Sequence, residues 1–173
     1  ELTTALENGF KNLRLLSDID LGGKTVTEPI AVLGDGVTLD GNGKSIVNFS
    51  MNAKGENDIH TMSLFGTAAG KVTVKNLTIG EPANPIAYTY KAIKGGAGDE
   101  HYAVLFAESA AGSDLTVSGV TVYTNMAPVK DCPDTAMVSG FVSVVGGTAT
   151  FENCNLYGSV KNKEGKVYGD TRA

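Results

Sequence analysis

Apolar and polar residues alternate along this chain in short runs, and the runs recur. Four segments superimpose as apolar, Thr, apolar: Val37-Thr38-Leu39, Val72-Thr73-Val74, Leu115-Thr116-Val117 and Ala149-Thr150-Phe151. The last three extend into paired alternating triplets around one interrupting residue, over 72–79, 115–122 and 149–156. Period-two alternation on both sides of a break predicts two half-buried strands meeting at a corner. At the break stand Gly41, Asn76, Gly119 and Asn153, the residue types that most readily accept a left-handed backbone.

Upstream of each pair lies another apolar stretch, in Ala31-Val32-Leu33, Met62-Ser63-Leu64-Phe65, Ala103-Val104-Leu105-Phe106 and Gly140-Phe141-Val142-Ser143-Val144. Glycines separate it from the pair. A unit of this kind cannot bury its inward residues alone, so successive units must stack into parallel sheets at about 4.8 Å spacing. The unit starts at 37, 72, 115 and 149 differ by 35, 43 and 34 residues, which places the variable lengths between one unit and the next. Segments 47–61, 80–101 and 124–136 are therefore expected to be loops projecting from one side as a ridge. The predicted fold is all-β: a right-handed parallel β-helix of about four to five coils with a short N-terminal capping helix. It is expected to occupy 1–173 as one domain, with the cap in 1–12 and the coils in 13–173. Thr4-Ala5-Leu6-Glu7 has capping-box spacing, which predicts a helix over 4–8, with Leu2, Leu6 and Phe10 plugging the open end of the first coil.

Composition narrows the function classes. Apolar residues are 42% of the chain and charged ones 19%, with 22 Gly against 5 Pro, which marks a folded chain with many tight turns. A net charge of -5 gives no reason to expect nucleic acid or an anionic membrane as a partner. No run approaches the roughly 20 apolar residues of a spanning helix, so membrane insertion by a helix is not expected. Glu1 is preceded by no Met or signal peptide, and Lys166-Val167-Tyr168-Gly169 begins another strand-like stretch. Both features lead to the expectation of a processed leader and of a piece of a longer surface protein with further coils or domains, or of an end that pairs with another chain.

Residues 31–46, Ala-Val-Leu-Gly-Asp-Gly-Val-Thr-Leu-Asp-Gly-Asn-Gly-Lys-Ser-Ile, resemble the early coils of the pectate-lyase-like right-handed parallel β-helix superfamily, and the Asn-favouring corner is similar to its asparagine bend. The opening stretch Leu13-Arg14-Leu15-Leu16-Ser17-Asp18-Ile19-Asp20-Leu21 resembles the first coil of non-catalytic bacterial surface proteins of this type. The resemblance implies a secreted or cell-surface protein. Its enzymes cut acidic polysaccharides with carboxylates that hold calcium and a cationic base, or with paired carboxylates. Here the arginines are Arg14 and Arg172, at the extremes of the chain, so the arginine base of such a lyase is missing. Asp18, Asp20, Asp35 and Asp40 fall in turns or outward strand positions, where Asp is favoured for local hydrogen bonding, and no catalytic residue is assigned.

Two further candidate sites come from the expected loops. Tyr88, Tyr90, Tyr102, Tyr123 and Tyr157 are candidates to stack on sugar rings, against the plainer reading of tyrosines at half-buried strand ends. Asp58, His60, Asp99 and His101 would form a divalent-metal site of mixed ligands if the first two loops overlie one another, against the plainer reading of solvated loop residues. No cofactor is expected beyond calcium, which the resemblance allows. Cys154 takes an inward position like Leu77 and Val120, whereas Cys132 falls in the third loop, so a bridge between them needs that loop to fold inward. Thr38, Thr73, Thr116 and Thr150 form one outward column, which β-propensity and Thr-Thr stacking explain without an ordered-water role. Asn48-Phe49-Ser50 and Asn76-Leu77-Thr78 match glycosylation acceptors in a eukaryotic source. The expected function is an extracellular structural or adhesive module contacting a glycan or host surface through the ridge, the alternative being a polysaccharide lyase or hydrolase or its carbohydrate-binding fragment.

Overall fold

The computed structural model describes residues 2–53, 61–92, 100–132 and 136–163. Among the described residues the chain is all-β apart from one short helix, α1 (Leu2–Glu7). Strands β1 (Asn12–Arg14), β2 (Ile19–Val26) and the long β3 (Thr38–Ala53) come first. They are followed by β4 (Thr61–Met62), β5 (Thr67–Ala68), β6 (Lys71–Ile79), β7 (Ile86–Tyr90), β8 (His101–Ala103), β9 (Phe106–Ser109), β10 (Asp114–Ser118) and β11 (Thr121–Pro128). The last are β12 (Met137–Ser139), β13 (Val142–Val145), β14 (Thr148–Glu152) and β15 (Asn155–Val160).

All pairings between these strands are parallel. One sheet holds β4, β8 and β12, a second holds β5, β9 and β13, and the remaining nine strands share a third, larger sheet. From β4 onward the chain visits the three sheets in one fixed order and then repeats it. Each visit lands beside the strand laid down one visit earlier. The superimposed segments of the sequence are in register, with Thr38 opposite Thr73, Thr73 opposite Thr116 and Thr116 opposite Thr150.

Alternation sets what is buried. Leu39, Val74 and Val117 point inward along one column and Ile46, Ile79 and Val122 along another, all fully buried. Each such side chain is worth roughly 1.5–3 kcal/mol relative to exposure. Cys154, next to the corner at Asn153, is buried, and Cys132 is buried as well; no disulfide joins the two.

The left-handed corners fall at Asn76 (φ 52°), Gly119 (φ 61°) and Asn153 (φ 53°), as their residue types predict. Gly41 departs from that expectation. The turn there is taken by Asn42 (φ 54°) and Gly43 (φ 71°), because β3 carries extra residues between Asp40 and Lys44 where β6 passes directly from Lys75 to Leu77 through Asn76.

The expected loops are shorter than the sequence spacing implied. Residues 47–53 continue β3, 86–90 form β7, and 124–128 continue β11. In each, period-two alternation persists: Phe49, Met51 and Ala53 are buried, as are Ile86, Tyr88 and Tyr90. What remains of the ridge lies largely outside the described residues. At the start of the chain α1 places Leu2 and Leu6 against the core, but Phe10 is 62% exposed and is no part of the plug, since the chain leaves the helix at Gly9 (φ 80°).

Candidate functional site

Tyr123 and Tyr157 occupy the same outward position on β11 and β15, because Val122 and Leu156 beside them point inward. In-register pairing lays one ring over the other, with centroids 4.9 Å apart and planes 14° from parallel. Tyr157 is 51% exposed. The flanking outward pairs are Thr121 with Asn155 and Asn125 with Ser159, and the Ser159 hydroxyl lies 3.2 Å from the Asn125 side-chain oxygen. The result is an aromatic surface bordered by uncharged hydroxyl and amide groups. Such a surface suits a ring with one apolar face and polar edges. Tyr123 and Tyr157 were readable as candidates from their matching positions; the amide and hydroxyl border was not, because it depends on the strand register.

The other three tyrosine candidates are corrected by their burial. Tyr88, Tyr90 and Tyr102 are fully buried and present no surface to a ligand. On β7 Tyr88 and Tyr90 alternate with exposed Ala87 and Thr89, so the period of the strand turns both inward. Their hydroxyls donate to main-chain carbonyls, Tyr88 to Met62 at 2.8 Å, Tyr90 to Lys161 at 3.0 Å and Tyr102 to Lys91 at 3.4 Å. Burial pushes the Tyr102 hydroxyl up to about 12, with the charge of Glu100 acting in the same direction. Burial raises Tyr88 and Tyr90 as well. These rings are structural clamps.

Of the metal candidates, Asp58, His60 and Asp99 lie outside the described residues. His101 stands in a column with Thr61 and Met137, and its Nδ1 lies 3.3 Å from Glu108 Oε2. The other oxygen of Glu108 accepts a hydrogen bond from the Thr67 hydroxyl at 3.3 Å. Among the described residues no group of three or more His, Cys, Asp or Glu side chains is placed to hold a metal ion.

The acids in and between the first strands brace the backbone. Asp18 accepts from the Ser45 amide at 2.7 Å and Asp35 from the Lys71 amide at 2.8 Å. Asp20 accepts from the Gly22 amide and the Asn48 side chain, and Asp40 from the Asn42 amide and the Asn76 side chain. These bonds favour the charged form and hold both Asp20 and Asp40 below the usual carboxylate value. Each of the four carboxylates thus accepts a hydrogen bond from a stretch of chain at least 27 residues further on.

No protein-family model matches this chain, and neither curated proteins nor solved structures give a match to it.

Proposed function

We propose that the chain is a right-handed parallel β-helix module of the pectate-lyase-like kind, secreted or displayed at a cell surface, with a structural or adhesive role and a glycan contact at Tyr123 and Tyr157. The repeated order of sheets supports the β-helix, since each crossover between parallel strands of one sheet is right-handed in about 98% of cases. The observation that carries the glycan reading is the stacked, half-exposed tyrosine pair with its neutral border. A sugar seated on the free side of Tyr157 extends the stack by one more ring, and the absence of charge among Thr121, Asn125, Asn155 and Ser159 favours neutral hexose units over uronic acids. The ridge of loops expected from the sequence is not needed for this reading.

The test is binding to an array of neutral and acidic glycans, followed by titration of the best ligand against the Tyr157→Ala variant. Neutral glycans are expected to bind, and the substitution to weaken them by about 1 kcal/mol, roughly fivefold. Binding that is unchanged in Tyr157→Ala contradicts the assignment. Release of unsaturated or reducing ends from polygalacturonate with calcium would establish the polysaccharide-degrading alternative instead.

A further inference from the structure

Strands β8 and β12 are neighbours in one sheet, and alternation turns Tyr102 and Val138 towards the core. His101 and Met137, opposite one another one position earlier, therefore stand side by side on the outer surface at the strand spacing of about 4.8 Å. Met137 is 46% exposed, whereas Met51, Met62 and Met126 are buried. Its amide donates to the Glu100 carbonyl at 2.9 Å, and its carbonyl accepts from the Ser143 hydroxyl at 2.7 Å. These bonds hold the residue in register and leave its flexible thioether to reach a neighbour. The imidazole beside it is oriented from another sheet. Glu108 on β9 places one carboxylate oxygen 3.3 Å from His101 Nδ1, and its other oxygen accepts from the Thr67 hydroxyl at 3.3 Å. An ionised carboxylate only accepts, so Nδ1 carries the proton and the ring's lone pair falls on Nε2. A carboxylate behind one ring nitrogen is the support that metal-binding histidines commonly have.

We propose that His101 Nε2 and the Met137 thioether together bind a soft monovalent cation, copper(I), with Glu108 as the positioning residue. The donor set decides the metal. Calcium takes a shell of oxygen ligands, and zinc takes nitrogen, thiolate or carboxylate donors in a tetrahedral site, so neither is served by a thioether. Copper(I) accepts both thioether sulfur and imidazole nitrogen, and with its closed d shell it is satisfied by few ligands. A pair of soft donors is therefore enough, although among the described residues no group of three or more His, Cys, Asp or Glu side chains gathers around a metal position. The pair lies in a different sheet from Tyr123 and Tyr157, so the metal site stands or falls apart from the glycan contact.

Magnetic resonance of methyl-labelled methionine in the full chain tests this, with silver(I) as a redox-inert stand-in and then copper(I) kept reduced by ascorbate under nitrogen. Of the four methionine methyl signals one is expected to move, together with the His101 ring signals. Met137→Leu, which keeps the side-chain volume, identifies that signal by its loss and is expected to bind about tenfold more weakly. Glu108→Gln is expected to weaken binding about tenfold as well. Ring-nitrogen spectra of the metal-free chain should show His101 protonated at Nδ1, and Glu108→Leu should release it to a mixture of tautomers. Zinc(II) should leave the methyl signal in place. Cys132→Ala/Cys154→Ala, measured beside the parent, removes the two thiols as competing soft ligands, and the same methyl signal should move in both. A Met137 methyl that stays in place with both monovalent cations, or binding as tight in Met137→Leu as in the parent, would overturn the proposal. So would zinc(II) held as tightly as copper(I), and binding and tautomer indifferent to Glu108 would overturn the positioning role.

Discussion

Gly41 lies so close to Leu77 that a Cβ on the glycine would stand 2.6 Å from the leucine's Cα, and it would also meet the Asn76 carbonyl oxygen. The absence of a side chain at Gly41 is what lets β3 and β6 come together where β3 carries its extra residues. The expected consequence is a loss of about 2–3 kcal/mol for Gly41→Ala, since neighbouring backbone has to move. Gly43 gives the contrast: it has a left-handed φ of 71° but open space around its Cα. Gly43→Ala should cost only about 1 kcal/mol of backbone strain. Urea unfolding of the two variants gives the order; equal losses would show that close approach is not what Gly41 provides.

Stability should fall in acid through Asp20 and Asp40. Both carboxyls sit below their ordinary value of 3.8 in the folded chain because amide and side-chain donors favour the ionised form. A carboxylate with a depressed folded-state value contributes fully above its unfolded value, and the contribution disappears as pH falls through the folded one. The unfolding midpoint is therefore expected to be flat from neutrality to about pH 5 and to drop below about pH 4. Asp40→Asn should be less stable than the parent at pH 7 and lose less on acidification. An acid limb of the same depth in Asp40→Asn would contradict the role given to its bonds with Asn42 and Asn76.

A second titration lies at the alkaline end. Tyr102 is raised by burial to about 12, so its neutral form stabilises the fold fully below the unfolded value near 10 and progressively less as pH rises towards 12. Ultraviolet titration of the folded chain should leave the buried tyrosines protonated at pH 11, and unfolding should bring their ionisation in as one step. Tyr88→Phe removes the hydroxyl that donates to the Met62 carbonyl at 2.8 Å and should cost about 1–2 kcal/mol in urea unfolding. A neutral Tyr88→Phe would mean that the carbonyl finds another donor.

The parts of the fold legible in the sequence are those in which one residue type decides a local conformation. Asn76, Gly119 and Asn153 each mark a left-handed corner, and the apolar-Thr-apolar triplets mark the register. Gly41 misled because glycine serves two purposes, turning the chain and admitting a neighbour, and only the strand opposite tells which applies. The tyrosines misled for a related reason. Tyr88 and Tyr90 carry the same side chain as Tyr157, yet the first two alternate with exposed Ala87 and Thr89 and face inward. A tyrosine can be buried once its hydroxyl finds a carbonyl, and no spacing within the chain announces that a distant carbonyl such as that of Lys161 is waiting. The candidate site was visible as two matched tyrosines; its neutral border needed the pairing of β11 with β15.

The central claim is that strands far apart in sequence stand one above another in a single in-register column. Spin labels at Asn12 and Thr150, at the two ends of the threonine column, report on it directly when labelled molecules are diluted with unlabelled ones. Four ladder steps separate these positions, from Asn12 through Thr38, Thr73 and Thr116 to Thr150. At about 4.8 Å per step the account predicts one narrow distance distribution centred near 20 Å. A broad distribution, or one centred well beyond 30 Å, would contradict it.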